Sequence, residues 1–302
     1  MRLEHPIFQG PRHVELEFVT ATVSANHAVY PPSIEAGETR AWLVQQPAST
    51  PGGRVRPGLV CDGYGFEDSP DCEWISSGSN SKGPMAMAIG RQANRFLWGF
   101  HESPSHLTQS GRDVLVNAIA YMDQFDGVEP LVVARDGRGI LGARDHAIVS
   151  AHYLGVLARS GTSNAPIADR FPERVRSATG LQPERTLAWY RANLEFLVPA
   201  GPGYDVDDAC VEFGIGNRDP RFVAELVGRL ERDPNDPAAK RLLARYVPAA
   251  KSLTGGALAG WYDGARPFLY FTDRGGFEWR VDEPARAAGT PRARVGRPYV
   301  LR

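Results

Sequence analysis

Cys61 leaves the apolar pair Leu59-Val60 into a turn with glycine at every second position, Cys61-Asp62-Gly63-Tyr64-Gly65. A thiol on a tight turn at a strand exit can serve as a nucleophile, because unpaired backbone amides there can hold a developing oxyanion. Downstream, His101-Glu102 follows the apolar stretch at 95–100 and supplies a base and a carboxylate. Cysteine, histidine and glutamate are the residue types of a cysteine-dependent hydrolase or amidotransferase. Adjacent side chains on an extended segment point to opposite faces, however, so Glu102 is poorly disposed to orient His101. The plainer alternative makes Cys61 a small buried hydrophobe at a strand end and His101 a solvated loop residue.

Two polar stretches follow Cys61. Asp62, Glu67, Asp68, Asp71 and Glu73 place five carboxylates within twelve residues. Such a density suits paired hydrogen bonds to sugar hydroxyls or a hard cation. The spacing is not that of an EF-hand and no histidine adjoins it, so no metal is expected, and a solvated acidic face is the default reading. Next, Ser76-Ser77-Gly78-Ser79-Asn80-Ser81-Lys82-Gly83-Pro84 offers hydroxyls, backbone amides and one lysine, without the residue order of a nucleotide-binding loop. The candidate ligand-binding residues are therefore Asp62, Glu67, Asp68, Asn80, Ser81 and Lys82. Cys61, His101 and Glu102 are the candidate catalytic ones. No cofactor is expected.

The elements that must position these groups change character along the chain. Strands are expected near 13–18, 39–45, 58–65, 85–91 and 95–100, where short apolar runs alternate with turn residues. From Thr108, as N-cap, a helix should run to about Phe125, with Leu115, Ala118, Ile119, Met122 and Phe125 recurring at spacings of three and four. A strand and turn are read at 131–140, and a helix from Asp145 to Arg159. Residues 161–182 mix Ser, Asn, Pro, Arg and Gly and read as a link. Helices then open at Pro183, Asp219-Pro220 and Asp236-Pro237. A β-hairpin follows over 267–282 around Arg274-Gly275-Gly276. The tail beyond Val281 is expected to be loosely ordered. The aromatic residues of the Pro183 helix and the hairpin fit core packing better than sugar stacking.

Three stretches carry a resemblance: His5-Pro6-Ile7-Phe8-x-Gly10-Pro11, then Asp62-Gly63-Tyr64-Gly65-Phe66-Glu67-Asp68, then Ala88-Ile89-Gly90-Arg91 through Phe96-Leu97-Trp98-Gly99-Phe100. Together with Val116-Asn117-Ala118-Ile119-Ala120-Tyr121, they resemble the class I glutamine-amidotransferase-like superfamily, in its trehalose-utilisation-protein-like branch. The likeness covers residues 1 to about 125 and corresponds to the C-terminal half of that domain. It implies an incomplete, flavodoxin-like α/β sheet with its loop cluster at the strand ends, where open sheets bind ligands. His101-Glu102 falls near the family's base and orienting acid.

The expected organisation is an amidotransferase-like α/β domain at 1–127, a connecting region with one helix at 128–182, a helical region plus hairpin at 183–281, and a tail at 282–302. Basic and acidic residues number 34 and 35, leaving no global field for nucleic acid. No apolar run approaches the roughly 18 residues of a membrane helix. The cysteines Cys61, Cys72 and Cys210 are odd in number and lack C-x-x-C spacing, which fits a reducing compartment. With Met1 as the start the expectation is cytoplasmic; a preceding segment would open an extracytoplasmic destination. The leading reading is a non-glutaminase member that binds a small molecule or sugar, with the helical region meeting a protein partner or a second copy. The alternatives are a cysteine-dependent hydrolase or amidotransferase, and the structural half of a larger assembly.

Overall fold

A computed structural model describes residues 1–22, 38–46, 60–61, 63, 65–80, 83–133 and 144–293. Asp62, Ser81, Lys82 and most of the strand read at 131–140 lie outside them. The chain divides into two units. Unit 1 draws on Met1–Gly63 and Asp71–Pro130, and unit 2 on Tyr64–Pro70 and Leu131–Arg294.

In unit 1, β1 (Phe18–Thr22) pairs with β2 (Glu38–Trp42), while β3 (Cys72–Asn80), β4 (Gly83–Gln92) and β5 (Arg95–Trp98) form a meander in that order. β4 and β5 lie where the apolar runs place them. The strand expected at 13–18 starts only at Phe18, and Arg12 before it gives its backbone N–H and C=O to Asn117. β3 runs through residues read as loop. It is closely packed at Gly78, where a Cβ would lie 2.7 Å from Val60 Cγ1 and 2.9 Å from Ala88 Cβ. Register shifts interrupt the β3–β4 ladder on either side of Ser76 and again before Asn80, which hides the period-2 pattern that marks a regular strand.

α1 (Gln109–Met122) begins at Thr108 as expected, whose Oγ1 accepts Gly111 N–H at 3.1 Å. Its Val114 and Ala118 join Ile7, Phe8, Ile75, Ala88 and Ile89 in the core of unit 1.

Unit 2 contains α2 (Asp145–Arg159), α3 (Ala165–Ala168), α4 (Glu173–Thr179), α5 (Pro183–Asn193), the hairpin β6 (Leu197–Ala200) with β7 (Gly203–Val206), α6 (Asp208–Phe213), α7 (Arg221–Arg232), α8 (Pro237–Tyr246), α9 (Gly255–Ala265), the hairpin β8 (Leu269–Thr272) with β9 (Glu278–Val281), and α10 (Glu283–Ala287). The apolar stripe of α7, Phe222, Val223, Leu226, Val227 and Leu230, is buried at the 3.6-residue period. The stretch read as a link does not behave as one. Ile167, Phe171 and Val175 share a single core with Leu226, Leu242 and Tyr246, so residues 161–182 are part of the helical unit. The tail also starts in order, with Asp282 capping α10 at Ala285 N (3.0 Å) and accepting Arg292 Nε at 2.9 Å. Phe271, Phe277, Trp279 and Tyr190 are core residues.

Every strand pairing among the described residues is antiparallel. The general α/β class holds. The described pairings do not themselves make the parallel sheet that the resemblance implies. No helix among these residues is long and apolar enough to cross a membrane.

Gly203, at the start of β7, faces the chain before α4, and a Cβ there would stand 1.9 Å from the Arg170 carbonyl oxygen. Backbone cannot step aside as a flexible side chain does. Gly203→Ala should therefore cost unit 2 about 2–3 kcal/mol, as overpacked substitutions do. Urea unfolding checks this, and an unchanged midpoint would refute it.

Candidate functional site

The two motifs at the ends of unit 1 meet in space. Asn117 of α1 is fully buried; its Nδ2 donates to the carbonyls of Ile7 (3.0 Å) and Arg12 (2.9 Å), and its Oδ1 accepts Arg12 N–H at 2.7 Å. One amide thus satisfies three backbone groups of the His5–Arg12 turn, which has no ladder of its own. Tyr121, one helical turn on, packs its ring edge-on against His5 with centroids 4.8 Å apart.

Beneath this clasp lies Glu73 on β3. It accepts Arg91 Nε at 2.7 Å and Tyr121 OH at 2.9 and 3.1 Å, and its Oε2 lies 3.4 Å from His5 Nε2. Arg91 also donates to the Ala93 carbonyl and lies over the Phe125 ring, 3.8 Å from its centroid. Burial by itself would raise the Glu73 carboxyl. The hydrogen bonds from Arg91 and His5, with the Arg91 charge and the Tyr121 hydroxyl, outweigh it and hold the group down at about 2. Burial, reinforced by the Glu73 charge, pushes the Tyr121 phenol up to about 12. Glu73, read from the sequence as part of an acidic loop, is a saturated structural hub. The remaining residues of that loop divide between the units. Asp71 is buried in unit 1, whereas Asp68 is buried in unit 2 and receives Asp273 N–H at 3.2 Å and Arg218 Nη2 at 3.4 Å. Asp68 therefore serves the fold and is not presented to a ligand. Glu67 sits in a 3-10 turn, Phe66–Asp68, and Asn80 pairs with Gly83 at the β3–β4 turn. The side chains of Glu67 and Asn80, with Asp62, Ser81 and Lys82, lie outside the described residues.

Cys61 is exposed, contrary to its reading as a buried hydrophobe. Its backbone exchanges both hydrogen bonds with Met87 (2.9 and 2.7 Å), and Gly99 N–H donates to the next residue of β4, Ala88 (2.8 Å). The segments that carry Cys61 and His101 are thus anchored to consecutive residues of one strand. Gly63 keeps the Cys61 turn close to β3, since a Cβ on it would meet the Trp74 ring at 2.3 Å. Cys72 and Cys210 are buried, and burial, with the Asp207 charge, pushes the Cys210 thiol up to about 12. Among the three thiols, Cys61 is the accessible one.

Glu102 turns to His106, a residue the sequence reading passed over. Its Oε2 lies 2.9 Å from His106 Nδ1, with the carboxylate side chain 9% exposed and the imidazole 56% exposed. The intervening turn, Pro104–His106, closes with His106 N–H on the Ser103 carbonyl at 2.9 Å and brings the i and i+4 side chains together. Residues 106–108 are fastened to the end of β2: Gln46 N–H donates to the His106 carbonyl at 2.8 Å and Thr108 N–H to Val44 at 3.0 Å. The cue in the sequence was the i,i+4 acid–histidine spacing beside a proline. His101 is exposed and makes no side-chain hydrogen bond with Glu102 or Cys61.

Among the described residues, no group of three or more His, Cys, Asp or Glu is arranged to hold a metal ion. Comparison with protein-family models, with curated proteins and with solved structures gives no match.

Proposed function

We propose that the chain is a non-glutaminase member of the amidotransferase-like superfamily, whose unit 1 binds a small hydroxyl-rich ligand of the carbohydrate type and whose helical unit 2 docks a partner or a second copy. The observation that carries this reading is the clasp between Asn117 and the His5–Arg12 turn. Two of the stretches on which the resemblance rests, more than a hundred positions apart, act on one another as one structural device. The commitment of the Glu102 carboxylate to His106 supports the non-glutaminase part, because the Cys61–His101 pair is left without that orienting acid.

The test is a thermal-stability screen against neutral mono- and disaccharides, run beside an assay for ammonia release from glutamine. Stabilisation by a sugar that persists in Cys61→Ala, with no ammonia released, is the expected result. Ammonia release that disappears in Cys61→Ala would overturn it in favour of the cysteine-dependent enzyme. That second reading has one observation in its favour, the anchoring of the Cys61 and His101 segments to adjacent residues of β4. It makes a separate demand: iodoacetamide labelling of Cys61 should slow in His101→Ala. The binding reading expects the rate to be indifferent to His101.

A further inference from the structure

Unit 1 holds two glutamates whose side chains are largely withdrawn from solvent, 19% exposed for Glu73 and 9% for Glu102, and they are treated differently. Both oxygens of Glu73 are consumed by Arg91, Tyr121 and His5. Glu102 is as deeply placed, yet its Oε1 is buried with no hydrogen-bond partner and its Oε2 meets a single group, His106 Nδ1. A purely structural carboxylate is expected to be saturated as Glu73 is, since an unmet buried acceptor costs stability. Here the carboxylate has a single partner, and that imidazole is more than half exposed.

We propose that Glu102 and His106 form a ligand-binding dyad, in which Glu102 is the positioning residue and His106 Nε2 accepts a hydrogen bond from a hydroxyl-bearing ligand, a polyol or water. The chemistry follows from the hydrogen-bond inventory. A carboxylate only accepts, so it selects the neutral tautomer with hydrogen on Nδ1 and leaves the Nε2 lone pair outward. Nε2 makes no hydrogen bond among the described residues. The ligand O–H keeps its proton and donates a hydrogen bond to Nε2, and the positive charge this draws onto the imidazole is balanced by the Glu102 carboxylate; no covalent bond is made or broken. The unmatched carboxylate oxygen adds negative potential, which disfavours an anionic ligand. Ser103 and Ser105, exposed and hydrogen-bonded to each other at 2.7 Å, precede His106 in the chain and can exchange that mutual bond for ligand hydroxyls. Pro104 and the bonds to Gln46 and Val44 hold the backbone beneath, so the imidazole is pre-oriented.

The dyad stands independently of the function proposed above, while its ligand class rests on that reading, and the test separates the two. The full-length protein is treated with diethyl pyrocarbonate at mildly alkaline pH, and labelling is followed by peptide mass spectrometry at His106, His101 and His13, the last of which is 86% exposed. The expected result is that His106 is labelled several-fold faster than His101, and that Glu102→Gln, which keeps the side-chain shape but removes the charge, brings it down to the rate of His101. Nitrogen-15 ring shifts should report hydrogen on Nδ1 of His106 in the parent protein and a mixture of tautomers in Glu102→Gln. Equal labelling rates unaffected by Glu102→Gln, or an Nε2–H tautomer in the parent, would overturn the dyad. Sorbitol should slow labelling of His106 while leaving His13 unchanged. Fast, Glu102-dependent labelling without that protection would overturn the polyol assignment and leave the dyad standing.

Discussion

Replacing Asp273 by alanine is expected to destabilise unit 2 by about 3–5 kcal/mol, the usual cost of stranding one partner of a buried ion pair. The stranded group is Arg144, which has no exposed surface at all. Asp273 Oδ2 accepts the Arg144 backbone N–H at 2.7 Å, and its two oxygens receive Nε at 3.2 and 3.3 Å. The remaining guanidinium contacts are Asn217 Oδ1 at 3.0 Å, the Leu194 carbonyl at 3.3 Å and the faces of Phe271 and Phe277. None of these carries a negative charge, so they cannot stand in for the carboxylate. Removing both charges is a different experiment: Arg144→Met with Asp273→Leu should recover most of the loss, since apolar replacement of a buried pair is often close to neutral. Denaturant unfolding, with hydrogen exchange followed in peptides from α7, reads the effect in unit 2. A single variant that loses less than about 1 kcal/mol would show that water enters the site.

The corresponding prediction for unit 1 concerns Glu73. Glu73→Ala strands Arg91, whose side chain is 5% exposed, and should cost about 3 kcal/mol, because the bond to the Ala93 carbonyl and the Phe125 face soften the loss. The same carboxylate makes unit 1 acid-sensitive. Its folded pKa, about 2, lies below the ordinary value of 4.5. The stabilisation is therefore complete above the ordinary value, declines as pH falls below it, and is lost as pH passes through the folded value. That lowering corresponds to roughly 3 kcal/mol at full burial, and with Glu73 partly exposed about 2 kcal/mol is expected. Glu73→Gln should be less stable at neutral pH and should flatten that acid limb. An acid unfolding profile of Glu73→Gln parallel to the parent would place the acid-sensitive group elsewhere.

The sequence was legible where a local rule and the tertiary environment agreed. Thr108 caps α1, the prolines open α5 and α8, and the stripe of α7 lies inward, because each depends on residues within a turn or two of one another. β3 reads as loop because register shifts break its period-2 pattern and Gly78 answers to close packing by Val60 and Ala88, which no local pattern announces. Residues 161–182 looked like a link because their polar composition outweighs three core side chains, Ile167, Phe171 and Val175. In the candidate site, Cys61, His101 and Glu102 were found by type. The partner of Glu102 is hidden in the sequence because the adjacent histidine competes with the one four residues on, and only the Pro104–His106 turn decides between them.

By itself, then, the sequence determined the α/β mixture, the starts of α1, α2, α5, α7 and α8, the hairpin at 267–282 and the short list of groups able to do chemistry. Those features follow from backbone conformation, capping and periodicity, which act over a few residues. Only the tertiary structure decided what each charged group is for. Glu73 and Asp68 became structural because Arg91, Tyr121, Arg218 and the Asp273 amide, all distant in the chain, supply the hydrogen bonds that make burial of a carboxylate tolerable. Glu102 kept an unmatched oxygen because the fold brings it only His106. A carboxylate is the same residue in every case, and its role is set by which donors the folded chain brings within hydrogen-bond distance.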